Sequence, residues 1–112
     1  MNDIWAVIAS GPSLTAEDCE KTIALKTVAV NTSWKMARHA QFIFAGDFAW
    51  WKNYGEEIDI PAEKWSTSDQ AKIVFGVNKL SSIQTATNSG LNAIRLAIKK
   101  GANSFIHLLL LS

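Results

Sequence analysis

Short polar segments follow apolar strands in this chain, and they carry the residues best suited to bind a ligand. The first segment, residues 10–13, follows an apolar run at residues 4–9 and precedes a helix with Thr15 as its N-cap. In an open α/β sheet, ligands bind outside the carboxyl end of the first strand, where backbone N–H groups and a helix N-terminus face an anion. An ordinary β-to-α connection with no ligand shows the same local pattern, so both interpretations stay open.

Later strands are followed by polar residues in the same way. Residues 31–33 follow a predicted strand at residues 27–30, Asp47 follows one at residues 42–45, and Asn78 follows one at residues 73–77. Because the carboxyl ends of parallel strands meet at one edge of a sheet, these residues predict a pocket at that edge.

The remaining elements complete a regular alternation of strands and helices. Helices are predicted at residues 31–38 and 48–54 and from Asn88 to Gly101, with a fifth strand at residues 104–111. Residues 56–72 show no clear pattern and are interpreted as a long surface excursion. The alternation predicts one domain over residues 1–112, an α/β Rossmann-like three-layer sandwich with helices on both faces of the sheet. Its mostly parallel five-stranded sheet has the predicted order 3-2-1-4-5.

Composition excludes several classes of protein. The chain is 48% hydrophobic and 19% charged, which is typical of a globular domain. Its net charge of +1 gives no basic field, so no nucleic-acid partner is expected. The apolar run at residues 105–111 is much shorter than the about 20 residues of a membrane span, and no secretory signal is visible.

Sequence motifs for metals and for common cofactors are missing. The chain contains neither Cys-x-x-Cys nor His-x-x-x-His, and it lacks both the Walker loop and the three-glycine dinucleotide fingerprint, so no metal and no bound cofactor are expected. Its one cysteine, Cys19, cannot form an internal disulfide; this fits a reducing cytoplasm and a role as a small buried hydrophobe.

Residues 9–14 read Ala-Ser-Gly-Pro-Ser-Leu, which resembles the Gly-Pro-Ser-Leu loop of the bacterial CMP-sialic-acid-dependent sialyltransferases. Similar loops occur in motility-associated glycosyltransferase-like proteins, in 6-hydroxymethylpterin diphosphokinase-like proteins and in short bacteriophage or prophage proteins of unknown function. Val30-Asn31 resembles the Asn that ends the second strand in these families. Asn88-Ser89-Gly90, followed by an amphipathic helix and an apolar strand, resembles their Ser-Gly-helix-strand segment.

The resemblance implies a nucleotide or nucleotide-sugar ligand, with CMP as one example. The implied ligand-binding residues are Ser10, Gly11, Pro12, Ser13, Asn31, Asp47, Ser89 and Gly90. The first four would shape a loop against the phosphate or sugar, Asn31 would hydrogen-bond the nucleotide portion, and the last two would form another wall of the site. A carboxylate repels a neighbouring phosphate unless a metal ion intervenes, which leaves the role of Asp47 open.

The chain differs from these families in its last segment. There, the equivalent of the strand at residues 104–111 continues into a Gly-x-Asp turn and further elements that include the general base of the sialyltransferases, whereas this sequence ends at Ser112. His39 and His107 do not match that base, and no catalytic residue is assigned. Two functions stay open: a nucleotide or nucleotide-sugar binding domain that does not transfer sialic acid from CMP-sialic acid, or a non-catalytic phage or prophage protein without ligand chemistry.

Five tryptophans in so short a chain suggest that one of them stacks on a base or sugar ring. Trp5 and Trp34 are interpreted as core residues. Because Trp50 and Trp51 are adjacent in a predicted helix, only one of them can face the core, and the other can border the pocket or an interface.

The last strand also suggests self-association. In the predicted order, residues 104–111 form an edge strand, and leaving several of its leucines in water would cost a large part of a marginal stability. We therefore expect a homodimer through the C-terminal strand. The alternative is that residues 56–72 cover this strand and the protein stays monomeric.

Overall fold

All neighbouring strands of the sheet run parallel, so their carboxyl ends share one edge. The structure is a computed structural model that describes residues 4–9, 11, 14–81, 89–101 and 106–109. Within these residues the sheet has six strands in the order β5-β4-β3-β2-β1-β6: β1 (Trp5–Ile8), β2 (Lys26–Val30), β3 (Phe42–Phe44), β4 (Glu63–Ser66), β5 (Asn78–Lys79) and β6 (Ile106–Leu109). The α-helices are α1 (Ala16–Glu20), α2 (Phe48–Tyr54), α3 (Asp69–Phe75) and α4 (Ser89–Lys99), and 3₁₀ helices span Asn31–Lys35 and Gly55–Glu57.

Alternate residues of each central strand pack against opposite layers of helix, which is the period of two expected of extended backbone. On one face, Val7 and Val28 join a buried cluster with the α4 residues Ala93 and Leu96. On the other face, the apolar side chains meet two clusters contributed by α1, α2, α3 and the first 3₁₀ helix. The predicted α/β Rossmann-like sandwich is therefore confirmed.

The orientation of α4 follows from contacts at its carboxyl end. The Lys100 ammonium lies 3.4 Å from the Glu63 carboxylate at the start of β4. It also lies 5.6 Å from the centre of the Phe42 ring and 5.7 Å from that of Trp65. The carboxyl end of α4 is thus at the amino edge of the sheet, and Ser89 begins the helix towards the carboxyl edge.

The connectivity differs from the predicted order 3-2-1-4-5. Five strands have three to five residues each, and β5 adds a two-residue sixth strand beside β4. The chain moves outward from β1 to β5 in one direction, and it then returns through α4 to pair β6 directly with β1. As predicted, the last strand is at an edge of the described sheet. The direction of the connections reverses between β1 and β6.

Residues 56–72 and 73–77 were both misassigned from the sequence. The surface excursion contains β4, and the strand predicted at residues 73–77 is instead the end of α3 and the turn after it. Local capping explains the helix: the Ser68 hydroxyl accepts from the Ala71 N–H at 3.1 Å, and Gly76 ends the helix with φ +70°. Ile73 and Val74 therefore lie largely in solvent, and Phe75 is partly exposed and stacks on Phe48.

In the part of the chain that the structure describes, no helix is both long enough and apolar enough to cross a membrane.

The helical assignment of residues 69–75 predicts that Ile73 tolerates a charge. Its side chain is 81% exposed, so Ile73→Lys should change the free energy of unfolding by no more than about 0.5 kcal/mol. Ala71→Lys, on the buried side of the same helix, should cost more than about 2 kcal/mol. Urea titration of the two variants measures both values, and a large loss in Ile73→Lys would contradict the helix.

Candidate functional site

The polar residues that follow the strands gather at the carboxyl edge of the sheet, as the parallel arrangement requires. Gly11 follows β1, Asn31 follows β2, and Asp47 follows β3. Asn78, predicted to follow a strand, instead begins β5 opposite Trp65, and its side-chain N–H donates to the Lys64 carbonyl oxygen at 3.1 Å. Ser89 and Gly90 begin α4 on the same side of the molecule. The connections reverse direction between β1 and β6, and in open α/β sheets the crevice at such a reversal is the usual place for a ligand. The groove described below lies on the other side of β1, between the ends of β1 and β2. Ser10, Pro12 and Ser13 lie outside the described residues.

The Ser33 hydroxyl joins the ends of the two central strands. Its Oγ lies 2.9 Å from the carbonyl oxygen of Ile8 and 2.8 Å from that of Val30, and the side chain is buried. One hydroxyl hydrogen is therefore shared between two strand-end carbonyls. The sequence analysis placed Ser33 among the polar residues at this edge, but nothing local in the sequence indicates its contact with Ile8.

Asn31 has an uncommon backbone conformation at the centre of this edge. Its φ is +54°, and among the described non-glycine residues it alone has a positive φ. Asn tolerates the left-handed region better than most residues, but such positions concentrate at functional sites. The half-buried side-chain amide forms no hydrogen bond to any residue that the structure describes. The helix predicted at residues 31–38 is a shorter 3₁₀ helix, Asn31–Lys35.

A groove of about 290 Å³ lies between the loop after β1 and this 3₁₀ helix. It is lined by Gly11, Leu14, Thr32, Ser33, Lys35 and Met36. Lys35 provides its positive charge and also forms an exposed ion pair with Glu57 at 3.0 Å. A second cavity, of about 200 Å³, lies at the amino edge beside Trp51, Lys64 and Phe75, away from the polar strand ends.

The N-terminus of α1 is satisfied by its own side chains. Thr15 Oγ1 accepts from the Asp18 N–H at 3.1 Å, and the Asp18 carboxylate accepts from the Thr15 N–H at 3.3 Å. Glu17 adds a second negative charge in this turn. This arrangement is unfavourable for the anion expected at this helix N-terminus. The capping box already uses N–H groups there, and the two carboxylates repel phosphate.

Asp47 is at the N-cap position of α2, yet its side chain forms no capping hydrogen bond. The residue is exposed, and its carboxylate pairs with no cation in the described part of the chain. Among the same residues, no group of three or more His, Cys, Asp or Glu side chains is arranged to hold a metal ion. Asp47 is therefore free to accept hydrogen bonds from a ligand.

Trp50 and Trp51 point in different directions, as their adjacency in a helix requires. The Trp51 ring is buried, and its Nε1–H donates to the carbonyl oxygen of Ala45 at 2.9 Å. Trp50 stays half-buried, and its Nε1–H donates to Thr32 Oγ1 at 3.4 Å. Since Thr32 lines the groove, Trp50 lies beside the candidate site.

Sequence reasoning missed a further polar run at this edge. Residues 66–68, Ser-Thr-Ser, follow β4, and were assigned to the surface excursion. The Ser66 hydroxyl accepts from the Ser68 N–H at 3.0 Å, so this run is largely occupied by its own turn. The run was not recognised as following a strand because β4 itself was not predicted.

Cys19 and His39 have structural roles at other positions. Cys19 is buried with Ile8 and Leu14; burial, and next the Asp18 carboxylate, raise the pKa of its thiol. His39 Nε2 lies 2.8 Å from Thr22 Oγ1, whose hydroxyl donates to the carbonyl oxygen of Cys19 at 2.7 Å. The imidazole Nε2–H must then donate to Thr22. Neither residue belongs to the carboxyl edge.

Comparison with known proteins identifies no relative. No family model matches the chain, no curated protein is significantly similar to it, and no solved structure matches it significantly. Any statement about function therefore depends on the geometry of the chain itself and on the resemblance of its short motifs.

Removing the Ser33 hydroxyl should destabilise the protein. In Ser33→Ala the carbonyls of Ile8 and Val30 lose their shared donor in a buried position, which should cost about 1 to 3 kcal/mol. Thr32→Ala is the matched control, because its hydroxyl is exposed and should contribute much less. Chemical denaturation of both variants provides the comparison, and equal stabilities would show that Ser33 does not join the strands.

His39 should make stability depend on pH. Partial burial lowers its pKa in the folded protein below the ordinary value of about 6.5. As the pH falls through that value, the unfolded chain binds the proton first, so folding stability declines from pH 7.5 to pH 5.5. His39→Gln, which does not titrate there, should show a smaller decline in melting temperature. Identical declines in the two proteins would refute the assignment.

Proposed function

We propose that this chain is a nucleotide or nucleotide-sugar binding domain whose site is the carboxyl edge between β1 and β2. The observation that carries the proposal is Asn31: a half-buried amide with no partner in the described structure, held at a positive φ at the end of β2. The groove beside it provides a cation at Lys35 and close backbone approach at Gly11. These features suit a ligand that combines a phosphate with hydrogen-bonding sugar or base groups.

The resemblance to the Gly-Pro-Ser-Leu families supports the same ligand class. Gly11, Asn31, Ser89 and Gly90 match motif positions, and they lie at the carboxyl edge of one sheet. The capping box of α1 indicates that the phosphate is held by Lys35 and the loop after β1 rather than by that helix. A cytoplasmic location is part of the proposal, and it fits the buried, unpaired Cys19.

The competing proposal is a phage or prophage protein that keeps this fold without ligand chemistry. One observation favours it: Ser33 and the Ser66–Ser68 turn satisfy backbone groups and leave little free for a ligand. Both proposals leave catalysis unassigned. The two are separated by whether any nucleotide binds at the carboxyl edge.

Titration of the ¹⁵N-labelled chain with CMP, CDP, UDP and GDP tests the proposal. We expect amide shift changes to cluster at Gly11, Asn31 and Thr32 with at least one nucleotide. If no nucleotide moves these signals at millimolar concentration, the ligand-free alternative is correct.

Asn31→Gly isolates the contribution of the side chain. Glycine keeps the positive φ without strain but removes the amide, so folding should persist while nucleotide affinity falls roughly tenfold, as expected for a lost hydrogen bond. Asn53→Ala, which removes an exposed amide from α2, should bind like the wild type.

A further inference from the structure

Packing against the core accounts for only part of the Trp50 indole. Its neighbour Trp51 is buried between α2 and the sheet, whereas Trp50 packs against the margin of the same cluster and leaves part of its ring in solvent. A partly exposed tryptophan next to polar strand ends can serve a binding surface as well as the core.

The Trp50 ring is held in one orientation before any ligand arrives. Its centre lies 4.9 Å from that of Trp51 at an interplanar angle of 86°, and 5.9 Å from that of Tyr54 at 49°. The hydrogen bond to Thr32 fixes the indole at a third point. Because a preorganised ring loses little entropy on binding, such a surface suits stacking.

Charge along the edge gives a bound nucleotide a direction. Lys35 lines the groove and attracts phosphate in competition with Glu57, its exposed ion-pair partner. The Asp47 carboxylate, three residues before Trp50 and without a cation partner among the described residues, repels phosphate. A phosphate near Lys35 leaves the uncharged end of the nucleotide pointing towards α2, where Trp50 lies beside Thr32.

We propose, on the basis of the proposed nucleotide site, that the Trp50 indole is the surface on which the nucleobase stacks. Base stacking on an aromatic ring tolerates different bases, so this contact contributes affinity more than selectivity. The hydrogen-bonding groups of Asn31 and Asp47 then discriminate between sugars and bases.

A comparison of ligands with and without a base tests the assignment by calorimetry. The probes are CMP, UMP and GMP, with ribose 5-phosphate as the match that lacks a base. In the wild type, at least one nucleotide should bind about tenfold more tightly than ribose 5-phosphate. In Trp50→Ala this advantage should disappear while the affinity for ribose 5-phosphate is unchanged.

Two further variants distinguish a lost stacking contact from a loss of folding in Trp50→Ala. Trp50→Phe keeps an aromatic ring and should retain part of the advantage, and its melting temperature reports on the fold. Phe75→Ala removes a different exposed ring, at the end of α3, and should keep the whole advantage.

The outcomes separate this assignment from the proposed function. Equal affinities for nucleotides and ribose 5-phosphate in the wild type, or an advantage that survives in Trp50→Ala, overturn the stacking role alone. If none of the four probes binds, the proposed function fails and the stacking role fails with it.

Discussion

The shared hydrogen bond from Ser33 to the carbonyls of Ile8 and Val30 sets the geometry of the carboxyl edge. β1 and β2 pair in parallel as far as Ile8 and Ala29, and β2 then continues to Val30, which pairs with Phe44 of β3. Buried carbonyl groups at strand ends need hydrogen-bond donors. The Ser33 hydroxyl donates to both of these carbonyls, and Ser33 lines the groove together with Gly11 and Thr32.

The fold was predictable where burial determines composition. The central strands β1, β2 and β3 are covered on both faces, so each is a nearly continuous apolar run that the sequence displays directly. The amino end of β4 is less buried and carries the charged residues Glu63 and Lys64. Because these charges interrupt the apolar run, the sequence pattern did not predict a strand there. The apolar run at residues 73–77 gave the opposite error. Residues 73–75 are exposed on a helix that the caps at Ser68 and Gly76 determine, and only Val77, after the helix, is buried.

The candidate site was predictable in its location but not in its details. Parallel strands place their following residues at one edge whatever their sequence, so the positions of Gly11, Asn31 and Asp47 followed from the strand pattern alone. Which side chains after β2 reach the groove depends on the type of helix that follows this strand. A 3₁₀ helix there, in place of the α-helix expected, brings Thr32, Ser33 and Lys35 to the groove.

The two edges of the sheet differ in how far their polar groups are satisfied from within the chain. At the amino edge, Gln41 exchanges two hydrogen bonds with the Thr27 backbone, and Lys100 meets Glu63 and two aromatic rings. At the carboxyl edge, Asn31 and Asp47 have no side-chain partner among the described residues. An exposed polar side chain without a partner adds little to folding stability, so substitutions of Asp47 should be tolerated structurally while they change what the edge can bind. At Asn31 the same holds only for residues that accept its positive φ, glycine above all.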